Sequence, residues 1–368
     1  MKKNEYFRAA LFSILIGLLA GALIIAVLGR NPLTAYYNFL QGCGLAPKGK
    51  YATGRGMVTD FLSYIDYLTP MVFAALAVAV AMKTGLFNIG VSGQMLAAGF
   101  TATVLVGYSA LPAAVAKPLV LLIGLSVGAV AGGLIGVLKY RFNINEVVST
   151  IMFNYIISYV VSFMINTRYA DPVSRQSVQV GEAGRLTLQG VMIGGYKCNI
   201  PLGFFFALAA VLLVRFVLDR TVLGFELKAV GAGRKAAEYA GIRVGRSIVL
   251  SMMISGALAG LAGVTYYLGY FGSIQPKVLP GTGYDAIAVC LVGNSSPFGI
   301  LLSSFFLQII GKGATYMSSR SGLESEIASV ITGIILLSTT VSMVFRTFVT
   351  GRVRKAQTVQ TEGGDRDA

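Results

Sequence analysis

Apolar residues along this chain come in runs of about twenty, the length of helix that crosses a hydrocarbon core about 30 Å thick at 1.5 Å per residue. Polar residues gather between the runs. The first run, Ala9–Leu28, follows the basic opening MKKNEYFR, and no small-residue cleavage site clearly follows it, which predicts an uncleaved first helix. Residues 30–66 form a long glycine-containing connection too polar to span. A second, short run covers Tyr67–Met82 and ends at Lys83; a third opens with GLFNIGVSGQM, Gly85–Met95, and reaches Gly107. The fourth is Pro118–Leu138 and the fifth Val147–Ile165, after which residues 166–200 make a second long polar connection. Leu202–Leu218 and Ser247–Tyr270 are the sixth and seventh. Tyr284–Val292 is apolar over only about half a membrane thickness. Gly293-Asn294-Ser295-Ser296-Pro297 interrupts it before a further piece to about Gly311. Ile327–Phe345 comes last, and the basic stretch 347–368 reads as a disordered tail. The pattern predicts an all-α polytopic membrane protein of about ten transmembrane segments, with a broken helix near 284–297.

Composition agrees and narrows the chemistry. Of the 368 residues 55% are hydrophobic and 12% charged, against about 25% charged in soluble domains. A formal net charge of +15 would point to nucleic acid in a soluble protein; in a membrane chain it is the lysine and arginine excess that holds loops inside. The chain has no histidine, which excludes histidine metal sites, Ser-His triads and histidine proton relays. Cys43, Cys198 and Cys290 lie far apart and show no metal-ligand spacing; Cys43 and Cys198, both in loops placed outside, are a candidate disulfide pair. No glycine-rich loop ends in the Lys-Ser/Thr pair of a phosphate cradle, so this chain binds no ATP by that route and no cofactor is expected on it. No catalytic constellation is visible.

With both termini in the cytoplasm, Lys83, Lys139, Arg141 and the whole Arg215–Arg246 cluster fall inside, while Lys117, Lys277, Lys312 and Arg320 fall outside. Three stretches result: 1–66 with the first helix and a long external loop, the membrane core 67–346 with a cytoplasmic loop at 221–246, and the tail 347–368.

Several features stand out. Gly85, Gly90 and Gly93 surround Asn88 and Gln94 where the third run meets the bilayer, and backbone breaks are tolerated there only against protein or a water-filled cavity. Gly124, Gly128, Gly132 and Gly136 recur every four residues, the small-xxx-small pattern of close helix packing in lipid. Asn145 and Glu146 open the fifth run, where the helix dipole favours the carboxylate. Behind them Thr150, Asn154, Ser158 and Ser162 form a stripe beside Tyr155 and Tyr159, which suits either helix–helix hydrogen bonding or a polar path. Asp285 and Asn294 flank the discontinuous piece, and such elements line substrate sites in transporters. Lastly, Arg234–Ala240 predicts a short helix stopped by Gly241, with Ala236, Ala237 and Ala240 on one side, a small-residue face suited to docking on a partner. GLFNIG and GYDAIA, each ahead of a membrane segment, also hint at an inverted repeat.

GLFNIGVSGQM, NEVVSTIMFNYI, GRKAAEYAGIRVGRS and GYDAIAVCLVGNSSPFG, in this order, resemble the permease subunits of bacterial ABC importers in the ribose and branched-chain amino-acid permease family. The branch it is most similar to is that of nucleoside (guanosine-type) permeases, and the likeness covers residues 70–345. It implies a non-enzymatic pore subunit of the plasma membrane, partnered by an ATP-hydrolysing subunit, a second permease in a heterodimer and an external substrate-binding lipoprotein, with no nucleic acid. It further implies a purine nucleoside as substrate. The polar residues at the broken and glycine-rich places and along the fifth run, Asn88, Gln94, Asn145, Glu146, Thr150, Asn154, Tyr155, Asp285 and Asn294, are the expected substrate path. Ala236-Ala237, three residues, then Gly241 matches the core of the coupling motif that meets the ATPase, with Gly224, Arg234 and Glu238 as further candidate coupling residues, although its Leu-Pro ending is missing after Ile248. A simple-sugar ABC permease is the nearest alternative. An ion-coupled transporter would want acidic residues in mid-span, and Glu146 and Asp285 sit at segment ends instead.

Overall fold

The computed structural model describes residues 3–324, 326–335 and 337–338; most of the last apolar run beyond Ile335 and the 347–368 tail lie outside the described residues. The chain divides into two compact units, Met1–Asn38 with Met317–Ala368, and Phe39–Tyr316.

The smaller unit holds α1 (Lys3–Val27) and the first part of α2 (Pro32–Gly42), and the two helices meet at a bend of 117°. α1 lies so close to α13 (Glu326–Ile335) that a Cβ on Gly17 would stand 2.1 Å from Ile335 Cγ1. The Tyr36 hydroxyl donates to the Leu18 carbonyl, and Asn38 Nδ2 donates to Ser321 Oγ at 2.7 Å.

The larger unit is built around α3 (Met57–Lys83) and α10 (Val244–Val264). α3 is buried almost without a break from Leu68 to Ala81. Against α10 lies α5 (Ala113–Phe142), and the glycine ladder is the reason: a Cβ on Gly132 would lie 2.0 Å from the Met252 carbonyl oxygen, and one on Gly260 1.9 Å from that of Gly124. Only glycines on both helices allow backbones this near each other in lipid. α4 (Val91–Ala102), α6 (Glu146–Met164) and α10 each end in a single π-helical stretch, at Thr103–Gly107, Ile165–Tyr169 and Thr265–Phe271. α7 (Leu202–Arg220), α8 (Val222–Ala232) and α9 (Arg234–Tyr239) carry the basic loop, and α11 (Thr282–Val292) and α12 (Pro297–Ser321) complete the unit.

Helix boundaries differ from the sequence reading in three places. α3 begins at Met57 instead of Tyr67, because Thr59, Ser63 and Asp66 fall at i, i+4 and i+7 on one stripe facing a polar pocket, so these turns are helical without being apolar all round. The connection 166–200 is not wholly irregular: β1 (Thr187–Ile193) and β2 (Tyr196–Pro201) pair antiparallel around Gly194-Gly195, both at positive φ, so the chain is not all-α. Two glycines between β-forming residues are a hairpin signal present in the sequence. The break after α11 also reverses the chain. Ser303 Oγ donates to the Val289 carbonyl at 2.8 Å, which folds the start of α12 back against α11, with Asn294 and Ser295 both at positive φ in the turn.

Among the described residues six helices are long and apolar enough to cross a membrane, or seven if the bent α1–α2 pair is one span. Residues 91–107, α11 and α13 are apolar but shorter.

Candidate functional site

Between α3 and α4 the backbone leaves the helix from Gly85 to Gly90, and the freed polar groups are collected by side chains. Asn88 is fully buried. Its Oδ1 accepts from Gly90 N at 3.0 Å, and its Nδ2 donates to Gln94 Oε1 at 3.0 Å and Ser255 Oγ at 2.9 Å. Ser255 in turn donates to the Ala77 carbonyl at 2.6 Å, tying the break to both central helices. Asn154 reaches in from α6: its Oδ1 accepts from Gly93 N at 2.8 Å, and its Nδ2 donates to the Ile89 carbonyl at 3.0 Å and to the Tyr284 hydroxyl at 3.3 Å. Gly93 is a glycine for steric reasons, since a Cβ there would sit 2.5 Å from Asn154 Oδ1. Thr150 is buried with its hydroxyl turned back onto the Glu146 and Val147 carbonyls, and its Cβ packs on Gly90.

Asn88, Gln94, Thr150 and Asn154 are thus brought together in one buried cluster, in which Gln94 Nε2 has no hydrogen-bond partner among the described residues. Their polarity serves the broken backbone, which cannot be left unbonded in lipid. Ser92 Oγ donates to the Pro280 carbonyl at 2.8 Å, so the starts of α4 and α11, the two GLFNIG-like and GYDAIA-like places, lie against each other.

The other expected path residues lie elsewhere. Asn145 caps α6 by accepting from Val147 N at 2.9 Å, and Glu146 forms an ion pair with Lys139 at 2.8 Å. Asn294 forms the α11–α12 turn. Tyr155, Tyr284 and Asp285 are exposed on α6 and α11, and Asp285 makes no hydrogen bond or ion pair among the described residues. Cys43, Cys198 and Cys290 are all free and buried, so the candidate Cys43–Cys198 disulfide is not formed; Cys198 Sγ lies 3.7 Å from Thr59 Oγ1 instead.

The basic loop folds as two helices. Thr221 caps α8 by accepting from Gly224 N at 3.2 Å, and Gly224 fits under α7, where a Cβ would stand 2.1 Å from the Val217 carbonyl. α9 covers Arg234–Tyr239 and ends at Gly241 with φ +80°. Its alanine face is split. Ala237 is buried, packing with Ala81, Leu86, Ile135, Val230, Ile248 and Met252 of its own chain, whereas Arg234, Ala236, Glu238 and Ala240 are exposed and Tyr239 is 93% exposed. Behind the loop, Gly231 of α8 approaches the end of α3 so closely that a Cβ would lie 2.2 Å from the Lys83 carbonyl.

Sequence reasoning missed a charged group at the hairpin end. Arg185, next to β1, donates to the Gly269 and Tyr270 carbonyls at 3.1 and 3.4 Å. Lys312 of α12 donates to the Tyr270 hydroxyl and lies over the Tyr270 ring at 4.5 Å and the Tyr67 ring at 5.5 Å. Asp66 stands within electrostatic reach of both cations. Three charges scattered over some 250 residues carry no spacing signal; the one clue was the pair of acidic residues, Asp60 and Asp66, just ahead of an apolar run.

Residues 61–340 match the family described as the permease component of branched-chain amino acid transport systems. The chain is 36% identical over 358 residues (96% of this chain, 99% of the relative) to the guanosine ABC transporter permease protein NupP of Bacillus subtilis (strain 168). It is 32% identical over 341 residues (91% and 90%) to the nucleoside ABC transporter permease protein NupB of Lactococcus lactis subsp. cremoris (strain MG1363). To the glucose ABC transporter permease protein of Haloferax volcanii it is 27% identical over 289 residues (77% and 76%).

Proposed function

The chain belongs to the permease family of branched-chain amino acid transport systems, and from that premise we propose that it is the membrane-spanning subunit of an ATP-driven importer that carries nucleosides, a purine nucleoside foremost, into the cell. The observation that carries this reading is the match to a guanosine permease along nearly the full length of both chains. The glucose permease is a weaker match over less of the chain, which places the nucleoside reading ahead of the sugar one. The chain is a transporter subunit and not an enzyme.

The working assembly pairs it with an ATP-binding subunit, an external substrate-binding lipoprotein and a second permease as a heterodimer. The six long helices, the bent pair and the three shorter apolar helices make up the ten or so inserted segments. We place both termini and the α8–α9 loop in the cytoplasm and the hairpin outside, as the lysine and arginine distribution favours. The adjoining starts of α4 and α11 are consistent with an inverted repeat.

In this arrangement α9 is the element that docks on the ATPase. Arg234, Ala236, Glu238, Ala240 and Tyr239 present the outward face, and Gly224, Ala237 and Gly241 hold that face in position from behind. Substrate passes along the surface of Tyr155, Tyr284 and Asp285. A carboxylate without a partner on a membrane segment belongs against water or another subunit, not lipid. The buried cluster of Asn88, Gln94, Thr150 and Asn154 braces that surface from inside. Affinity purification of the tagged chain from its native membrane tests the assembly: an ATP-binding subunit and a lipoprotein should come with it, and recovery of the chain without either rejects the reading.

A further inference from the structure

The first turns of α3, the loop before them, the hairpin and the end of α10 enclose a polar pocket of about 170 Å³. Most of its polar groups are already occupied. Asp60 is paired with Lys48 at 2.6 Å. Arg185 is bonded to two carbonyls, and the Gln189 amide, with its oxygen turned inward, accepts from the same guanidinium. Asn199 Oδ1 accepts from Gly190 N at 3.3 Å. Among the wall groups that make no hydrogen bond or ion pair with the described residues are the Asp66 carboxyl, the Ser63 hydroxyl one turn before it on the same stripe, and the Arg55 guanidinium.

The charge around Asp66 decides what these groups can take. The pocket wall carries two arginines, Arg55 and Arg185, and two carboxyls, Asp60 and Asp66, so its charges balance and a free cation gains nothing there. The carboxylate itself opposes an anion. A neutral ligand remains, and the Asp66 carboxyl offers it acceptor oxygens that ask for donors. Two carboxylate oxygens match two neighbouring hydroxyls, the way acidic residues hold a ribose hydroxyl in dinucleotide sites. The Ser63 hydroxyl and Arg55 are then placed to donate to ring or glycosidic oxygens.

Resting on the nucleoside-importer reading, we infer that this pocket is a binding site for the vicinal diol of a sugar ring, held by Asp66 with Ser63 and Arg55, and that it is the first station of the substrate on this chain. The pocket lies beside the hairpin, and Asp285 is within electrostatic reach of Tyr67, the neighbour of Asp66 along α3. The same diol is offered by the ribose of a nucleoside and by a free sugar.

The test uses the complete importer in proteoliposomes, with uptake per folded complex measured at saturating guanosine and 2′-deoxyguanosine, and for ribose and 2-deoxyribose locked as their methyl furanosides. The wild type should prefer the diol-bearing member. Asp66→Asn should reduce that preference about tenfold, the worth of a charge-assisted hydrogen bond, while uptake of the deoxy compound holds. Equal loss of both compounds, or an unchanged preference, overturns the site and leaves the importer reading standing. A preference seen with ribose but no nucleoside uptake at all keeps the site, assigns it to free sugar and removes the nucleoside reading. Should Asp66→Asn not assemble, Ser63→Cys in the same complex reports independently: guanosine should slow its alkylation and 2′-deoxyguanosine should not. Equal protection by both, or by neither, overturns the inference.

Discussion

Asn154 Oδ1 accepts the Gly93 amide at 2.8 Å, joining α6 to the first turn of α4 at a place where a side chain on residue 93 would collide with the asparagine. The amide, the side chain and the missing Cβ are one device. It lets the chain break there while the Gly93 amide and the Ile89 carbonyl both keep a partner.

Replacing Asn154 with Leu should therefore act on stability before it acts on transport. The Gly93 amide and the Ile89 carbonyl would be left unbonded, at a cost of about 1–3 kcal/mol for each buried group. Thermal unfolding in detergent should show a lowered midpoint, and Asn88→Leu should do the same. Uptake per folded complex should fall little in either; a large per-complex loss with an unchanged midpoint would move these residues from brace to pore wall.

The helix pair α5–α10 gives a sharper case. A Cβ on Gly128 would lie 2.1 Å from the Gly256 carbonyl oxygen, and one on Gly256 equally near that of Gly128. Gly128→Val and Gly256→Val should each cost more than the roughly 1–3 kcal/mol of ordinary overpacking, because the obstacle is backbone on both sides. Neither variant should yield folded protein at normal levels by size-exclusion profile. Gly281→Ala, where nothing lies within 4 Å of the added carbon, should behave as wild type.

On α9 the two sides should separate. Ala237→Glu forces a charge into the packed cluster with Leu86 and Met252 and should reduce folded protein by the penalty of an unpaired buried charge. Ala236→Glu and Tyr239→Ala, on the exposed side, should leave folding intact and lower ATPase recovery in pull-downs. Equal folding and equal recovery for all three would reject the docking face.

Sidedness has its own check. In a background without Cys43, Cys198 and Cys290, cysteines placed at Arg234 and at Glu182 should label from opposite faces of the membrane. The native three are buried, and burial pushes the Cys43 thiol up to about 12, so the wild-type chain should react slowly. Labelling of both introduced sites by an impermeant reagent from outside would invert the topology.

How much of this was legible in the sequence follows from physics. The Gly124–Gly136 ladder, the Arg234–Tyr239 helix with its Gly241 stop and the membrane runs could be read directly, because their period or end signal is local. Residues 57–66 read as connection because hydropathy averages over a helix whose polar stripe faces a pocket. The polar path residues showed the converse problem. Asn88 and Asn154 announce only that something polar is met in the membrane; whether it is a substrate or the chain's own broken backbone depends on contacts more than sixty residues apart. Asp66, Arg185 and Lys312 were invisible for the same reason.

The central claim is that ATP hydrolysed by a partner drives a nucleoside through this chain. Proteoliposomes containing the chain, its sister permease, the ATPase and the lipoprotein test it with labelled guanosine. The account predicts accumulation that requires ATP inside the ATPase-bearing compartment and persists when proton and sodium gradients are collapsed. Accumulation that follows an imposed ion gradient and ignores ATP would contradict it.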